Sequence, residues 1–186
     1  MRITGGEFKG RQIIVPQKNV RPTSSLVKEA MFSMLNSLFL NYAVSIEEFN
    51  CLDLFSGSGA LGFEAISRGA KSVTFVDNSL ESILTIKQNI KILHLDDQSK
   101  VIRSDVINFL NQNEVVFDLV FCDPPYGYSE FSELLLTKYF RFGVFESDID
   151  NGNLFESPDL AILKSKRYGS THIVIAENIR FQKAIE

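Results

Sequence analysis

Residues 123–126 read Asp-Pro-Pro-Tyr, setting a carboxylate, two backbone positions without N–H donors and an aromatic ring side by side. Each proline fixes its own φ and restricts the residue before it. The Asp123 carboxylate and the neighbouring carbonyls, including that of Pro124, are therefore rigid acceptors, with Pro125 continuing the same rim. Acceptors of this kind suit the N–H hydrogens of a planar amine, and Tyr126 supplies a ring to stack on the same group. A second set of residues lies upstream in "NCLDLFSGSGALGFEA", where Gly57, Gly59 and Gly62 form a G-x-G-x-x-G pattern. Between a strand and its helix, such glycines let backbone N–H groups and the helix N-terminus approach a ligand closely. Asp77 follows Gly57 by twenty residues, a spacing at which an acid takes ribose hydroxyls.

A ribose is common to nicotinamide cofactors and to S-adenosylmethionine, so the glycines and Asp77 leave both open. Asp53 favours the second. It interrupts an apolar strand just before the glycines, where a carboxylate would repel a pyrophosphate but suits a ligand with a cationic amino group and no phosphate. The residues also provide no acid or base pattern for hydride transfer, which disfavours an oxidoreductase. Asp105, in "IRSDV", comes at the end of a third strand; it can accept a bond from an adenine amino group or cap the next helix, and the spacing allows either.

The elements that must position these residues alternate. "CLDLF", "SVTFVD", "KVIRSD" and "FDLVFCD" read as strands. "ALGFEAISRG", "SLESILTIKQNIKIL", "VINFLNQ" and "SEFSELLLTKYF" read as helices, the first ended by Gly69 and the second capped by Ser79. This order predicts an α/β fold of Rossmann type, a mostly parallel sheet with helices on both faces. "LAILKSKRYGSTHIVIAE" reads as two strands joined near Tyr168–Ser170, an antiparallel pair at the sheet edge. Ahead of these, residues 2–16 suit a hairpin, and "SSLVKEAMFSMLNSLFLNYA" has apolar residues at helical spacing behind Thr23 or Ser24 as a cap. The boundaries expected are a basic hairpin extension over 1–22 and one catalytic domain over 23–186. The acidic stretch Arg141–Asp159 reads as a surface loop; its Asp148, Asp150 and Gly152 lack calcium-loop spacing, and no metal is expected.

At 186 residues and 45% hydrophobic, the chain fits a single globular domain. No apolar run suggests a signal peptide or a membrane span, so a cytoplasmic protein is expected, and nothing in the chain demands more than a monomer. Cys51 and Cys122 sit in apolar strands as buried thiols, and His94 and His172 are isolated, with structural roles. The net charge of −4 conceals an asymmetry: residues 1–28 hold six basic residues against Glu7, a balance of +5, leaving −9 elsewhere. Charge alone allows a solvated, mobile arm or a footprint for phosphate, with Lys9 and Arg11 as its contacts.

The joint pattern "RPTSSLVKEAMF", "LDLFSGSGALGFEA" and "DPPY", with "GGEFKGRQI" before it and "YGSTHIVI" after it, closely resembles the RsmD-like family of small-subunit ribosomal RNA guanine-N2 methyltransferases. The resemblance implies the S-adenosylmethionine-dependent methyltransferase fold, with a seven-stranded sheet and an N-terminal β-hairpin and helix. It implies that Phe55, Gly57, Gly59, Asp77 and Asn78 bind S-adenosylmethionine together with Asp53, that Asp105 and Val106 meet its adenine, and that Arg21 and Thr23 lie near its methionine end. Asp123, Pro124 and Tyr126 would hold the target guanine, in ribosomal RNA that is free or part of an assembling small subunit. An adenine-N6 methyltransferase on DNA or RNA is the nearest alternative, since the same acceptors serve that amine. Lys28 stands where the family more often has arginine, and Lys164 where an acid is expected after the fifth strand.

Overall fold

The computed structural model describes residues 1–16, 24–125, 140–147 and 159–183. Within these, the elements in chain order are α1 (Ser25–Asn41), β1 (Asn50–Leu54), α2 (Ala60–Ser67), β2 (Ser72–Asp77), α3 (Leu80–Leu93), β3 (Ser99–Arg103), α4 (Val106–Gln112), β4 (Phe117–Cys122), β5 (Phe140–Ser147), β6 (Leu160–Tyr168), β7 (Thr171–Asn178) and α5 (Ile179–Lys183). The seven strands form one sheet in the order β3-β2-β1-β4-β5-β7-β6. Every pair from β3 to β5 is parallel, whereas β7 runs antiparallel to both β5 and β6. The expected doubly wound sheet with an antiparallel edge pair is what forms, and the chain order reverses between β1 and β4, where open sheets of this kind place their ligands.

β1 and β4 are apolar because helices cover both of their faces. On one face, α1, α2 and α3 pack with Ile3 and Ile13 against Cys51, Phe121, Phe142 and Ile173. On the other, Val106, Phe109 and Leu110 of α4 pack against Leu52, Leu54, Val120 and Val174. Rings fill the space between α1 and the sheet: Phe32 lies 5.6 Å from Phe121 and Phe39 lies 5.6 Å from Phe142, centroid to centroid. A large ring removed from such a site costs about 3–5 kcal/mol.

Helix ends follow the sequence. Ser24 Oγ accepts the Val27 N–H and Ser79 Oγ accepts the Ser82 N–H, each satisfying an otherwise unpaired donor in the first turn. Residues 1–13 form the anticipated hairpin as a short ribbon, with an antiparallel bridge between Arg2 and Gln12 and a bond from Ile3 N to Arg11 O at 3.0 Å.

Two expectations are corrected. The stretch that begins at Arg141 is not a surface loop: Phe140–Ser147 is the strand β5, paired parallel to β4 and antiparallel to β7. Phe140 thus opens a strand and does not close a helix. Gly143 makes this possible, because a Cβ there would crowd the Phe140 and Phe145 rings. Lys164 does not follow the fifth strand but lies within the sixth, at a register shift, where its Nζ donates to Ser37 Oγ of α1 at 3.3 Å. The proposed helix over 129–139 and the rest of the 141–159 stretch, 148–158, lie outside the described residues.

Candidate active site

β1 ends where Phe55 turns the chain with φ +54°, a conformation costly for a side chain that bears Cβ. Gly57 and Gly59 follow at φ +53° and +78°, and Gly59 is the N-cap of α2. Ser56 holds the turn between the two central strands: its Oγ donates to Asp53 O at 2.6 Å and accepts Val76 N at 2.8 Å. Gly62 lies where α2 presses on the sheet, since a Cβ there would run into Phe75 and Val73 of β2.

Two carboxylates fasten this loop. Asp77, at the carboxyl end of β2, accepts Gly57 N at 2.8 Å on Oδ2 and Ser79 N at 2.8 Å on Oδ1. Asp53, buried in β1, accepts Gly62 N at 3.0 Å. Burial pushes the Asp53 carboxyl well above the usual carboxylate range; Asp123 and Asp77 push it further, and the Gly62 N–H opposes them. Asp123 therefore stands close enough to β1 for its charge to be felt at Asp53. Asp123, Pro124 and the exposed Pro125 continue directly from β4, the strand hydrogen-bonded to β1. The acceptor rim and the glycine loop thus share the carboxyl edge of the sheet.

Asp105 caps α4, its Oδ1 accepting Ile107 N at 3.0 Å and Asn108 N at 3.3 Å. Capping is thus realised, and it leaves Oδ2 outside those two bonds. Val106 is buried directly behind it, and Asn78, whose carbonyl accepts Arg103 Nε at 3.1 Å, lies exposed between β2 and α3. Arg21, Thr23 and Tyr126 lie outside the described residues. Burial raises the thiols of Cys51 and Cys122, as expected of inert core groups.

The ribbon that carries Lys9 and Arg11 is clamped to the back of α2. Glu64 Oε1 accepts Thr4 N at 2.6 Å and Lys28 Nζ at 3.2 Å, and Lys28 also donates to Arg2 O at 2.9 Å. Phe8 N donates to Ser67 Oγ at 2.9 Å. From α3, the buried Asn89 exchanges two bonds with the Ile14 backbone, at 2.8 and 2.9 Å, while its Nδ2 reaches Ser58 O of the glycine loop at 3.4 Å. Lys9 and Arg11 are exposed on this fixed support, so over residues 1–16 the basic segment is not a free arm. Lys28 is withdrawn from any surface role. Ser56 and Glu64 lie within the glycine-rich motif without a role assigned to them there, and Asn89 lies in no motif.

What can this edge hold? Residues 50–67 contain no lysine or arginine, and Asp77 and Asp123 stand at the carboxyl ends of the two strands that flank β1. A pyrophosphate would meet the Asp77 and Asp123 carboxyl groups, whereas a nucleoside bearing a positive centre is favoured. Among the described residues, no group of three or more potential ligands could hold a metal ion, and no helix is long and apolar enough to cross a membrane.

Comparison with known proteins agrees with this geometry. A family model described as conserved hypothetical protein 95 matches residues 1–177. YlbH of Bacillus subtilis, provisionally named an rRNA methyltransferase, is 34% identical over 94% of this chain and 97% of its own length. Ribosomal RNA small subunit methyltransferase D of Haemophilus influenzae is 38% identical over 69% of this chain and 65% of its own. The solved structure of yhhF from Escherichia coli, provisionally named a methyltransferase, superposes with a TM-score of 0.83 at 29% identity, covering 96% of this chain and 97% of that one. The sheet order, the turn at its reversal and these matches together show the Rossmann-like fold of S-adenosylmethionine-dependent methyltransferases, and the chain belongs to the RsmD-like methyltransferase family.

Proposed function

We propose that this protein methylates the exocyclic N2 amine of a guanine in small-subunit ribosomal RNA, with S-adenosylmethionine as its cofactor. The observation that carries the reading is the place of Asp123-Pro124-Pro125: a rim of acceptors on the strand next to the glycine loop, at the carboxyl edge where the sheet order reverses. The names of the relatives point to ribosomal RNA as the substrate class.

In this reading Asp77 takes the ribose hydroxyls while it holds Gly57, and Asp105 offers Oδ2 to the adenine amine beside Val106. Gly57 and Gly59 allow close approach, with Phe55 and Asn78 flanking the nucleoside and Arg21 and Thr23 near its methionine end. Asp53 acts from behind the loop through Gly62. The cofactor supplies an electrophilic methyl group; the chain does the rest by position and charge. An exocyclic amine is a weak nucleophile because its lone pair is delocalised into the ring. Accepting its two N–H hydrogens on the Asp123 carboxylate and the Pro124 carbonyl draws the nitrogen toward tetrahedral geometry and frees that pair. The carboxylate also favours the positive charge that develops on nitrogen, and holding the amine in line removes much of the entropic barrier. Tyr126 stacks on the base. A paired base cannot enter such a site, so the target is unpaired or flipped out. Lys9 and Arg11, fixed beside α2, meet the phosphates, and a monomer suffices for all these contacts.

The test is nucleoside mass analysis after incubation of the protein and S-adenosylmethionine with naked small-subunit ribosomal RNA and, separately, with small-subunit particles. N2-methylguanosine is the expected product. N6-methyladenosine, or no methylation of either substrate, overturns the assignment.

A further inference from the structure

We infer that the end of the β6–β7 hairpin, at Lys166 and Arg167, is a second phosphate-contacting surface for the RNA strand whose base is held at Asp123, a proposal that rests on the RNA reading above. The sheet register places it. Cys122 of β4 pairs with Phe145 of β5, Phe145 with Val174 of β7, and Val174 with Ser165 of β6. Asp123, the first residue past the last paired position of β4, continues toward the row of Glu146, Ile173 and Lys166, and Arg167 pairs with His172 one step beyond. Lys166 thus stands in the row toward which Asp123 continues, three strands away, roughly 14 Å at the usual strand spacing. β6 is parallel to β4, so its carboxyl end and the turn after Tyr168 lie at the edge that carries the candidate active site.

Lys166 also shares the facing of Asp123, whereas Arg167, the next residue of the strand, takes the other face beside the turn. Residues in one row of a sheet point to one face. Ile173, the neighbour of Lys166 in this row, packs in the core beneath α1, the same core that receives Ile3 and Ile13 of the basic ribbon. α1 reaches from the ribbon, through Lys28 to Arg2 O, as far as β6, through Ser37 to Lys164. Basic residues therefore occur on two separate supports packed against α1, Lys9 and Arg11 on the ribbon and Lys164 and Lys166 on β6.

Three basic residues within 164–167 stand out in a chain of net charge −4. Lys164 is committed to α1. Lys166 and Arg167 are exposed, and the Lys166 ammonium rests 5.2 Å from the centroid of the Tyr168 ring, which holds it near the turn. A strand of RNA delivering a flipped base to Asp123 must continue past the site, and cations at the same edge of the sheet are complementary to its backbone.

A competing explanation is that lysines on an edge strand merely prevent pairing with another chain. Measuring the affinity for naked small-subunit ribosomal RNA at several salt concentrations separates the two, using wild type, the double variant Lys166→Gln with Arg167→Gln, and the charge-retaining Lys166→Arg with Arg167→Lys. The glutamine variant should bind RNA more weakly, with a salt slope lowered by about 0.7 log units per lost contact to a single strand. The charge-retaining variant should keep the wild-type slope, and S-adenosylmethionine affinity should stay within twofold in both. An unchanged slope in the glutamine variant, with or without new self-association, overturns this proposal and leaves the RNA reading standing. Absence of salt-dependent RNA binding by wild type overturns both.

Discussion

Asp77 Oδ2 accepts the Gly57 N–H at 2.8 Å, so the acid at the end of one strand fixes the conformation of the loop at the end of the next. The same carboxylate holds Ser79 N through its other oxygen. The proposed ribose contact and the loop geometry thus fall to one side chain. Asp77→Ala should weaken S-adenosylmethionine by about 1.5–3 kcal/mol, the usual worth of hydrogen bonds to a charged group, with less effect on turnover at saturation. Calorimetric affinity equal to wild type would remove Asp77 from the cofactor site.

Asp123 should behave in the opposite way. Its carboxylate faces the substrate amine in the proposed reaction, so Asp123→Ala should abolish methyl transfer, a barrier increase of about 3 kcal/mol or more. Cofactor affinity should remain within several-fold of wild type. Single-turnover rates with saturating RNA read the first quantity and calorimetry the second; near-normal turnover contradicts the mechanism.

Asp53 carries a pH signature. An aspartate in an unfolded chain titrates near about 3.9, and burial holds the folded value well above that. Below about pH 4 both states are protonated and folding pays no penalty for the burial. As pH rises from there toward the folded value, the unfolded chain releases its proton first and the folded state loses stability relative to it. Asp53→Asn keeps a carbonyl to accept Gly62 N and has no proton to release. Its stability relative to wild type should therefore increase with pH above about 4 and level off past the folded value. Parallel urea-midpoint curves for the two proteins between pH 4 and 8 would show that Asp53 does not titrate in this way.

The buried pair Lys28–Glu64 offers a test of the ribbon clamp. Both side chains are fully buried and 3.2 Å apart. Lys28→Met leaves Glu64 with Thr4 N and Arg68 but without its nearest buried cation, and should destabilise the fold by about 3 kcal/mol, toward the lower end of what breaking a buried pair costs. A urea midpoint unchanged from wild type would mean that Arg68 alone compensates Glu64.

Legibility followed the range of the interactions involved. Ser24, Ser79 and Asp105 cap helices within three residues of themselves; the sequence places Ser79 outright, offers Ser24 beside Thr23, and leaves Asp105 open between a cap and an adenine contact. Gly57, Gly59 and Asp77 were legible because a strand-turn-helix unit fixes their spacing. β5 was not: "RFGVFES" has an arginine and a glycine where a buried strand usually has branched residues. It becomes a strand through its pairing with β4 and β7, with Gly143 leaving room for two rings. Nothing in the sequence joins Lys28 to Glu64, and their pairing across 36 residues exists only once α1 packs beside α2. Asn89 likewise looks like a polar residue on a helix until Ile14 lies against it.

The ribbon itself supplies the last prediction. Lys9 and Arg11 are exposed, with the Arg11 guanidinium 5.6 Å from the Phe8 ring centroid, and the backbone beneath them is tied to Glu64, Ser67 and Asn89. Charges on so firm a support lose little freedom on meeting a phosphate, unlike charges on a loose arm. Replacing both with glutamine should weaken binding to small-subunit ribosomal RNA and lower its salt slope by about 0.7–0.9 log units per lost contact. Thermal stability and cofactor affinity should hold, because neither side chain enters the clamp. If the two residues only aid solubility, affinity and slope will match wild type at every salt concentration, and RNA must then enter from another face. Combining this variant with the glutamine pair at Lys166 and Arg167 adds a further check, since independent phosphate contacts should lower the slope additively.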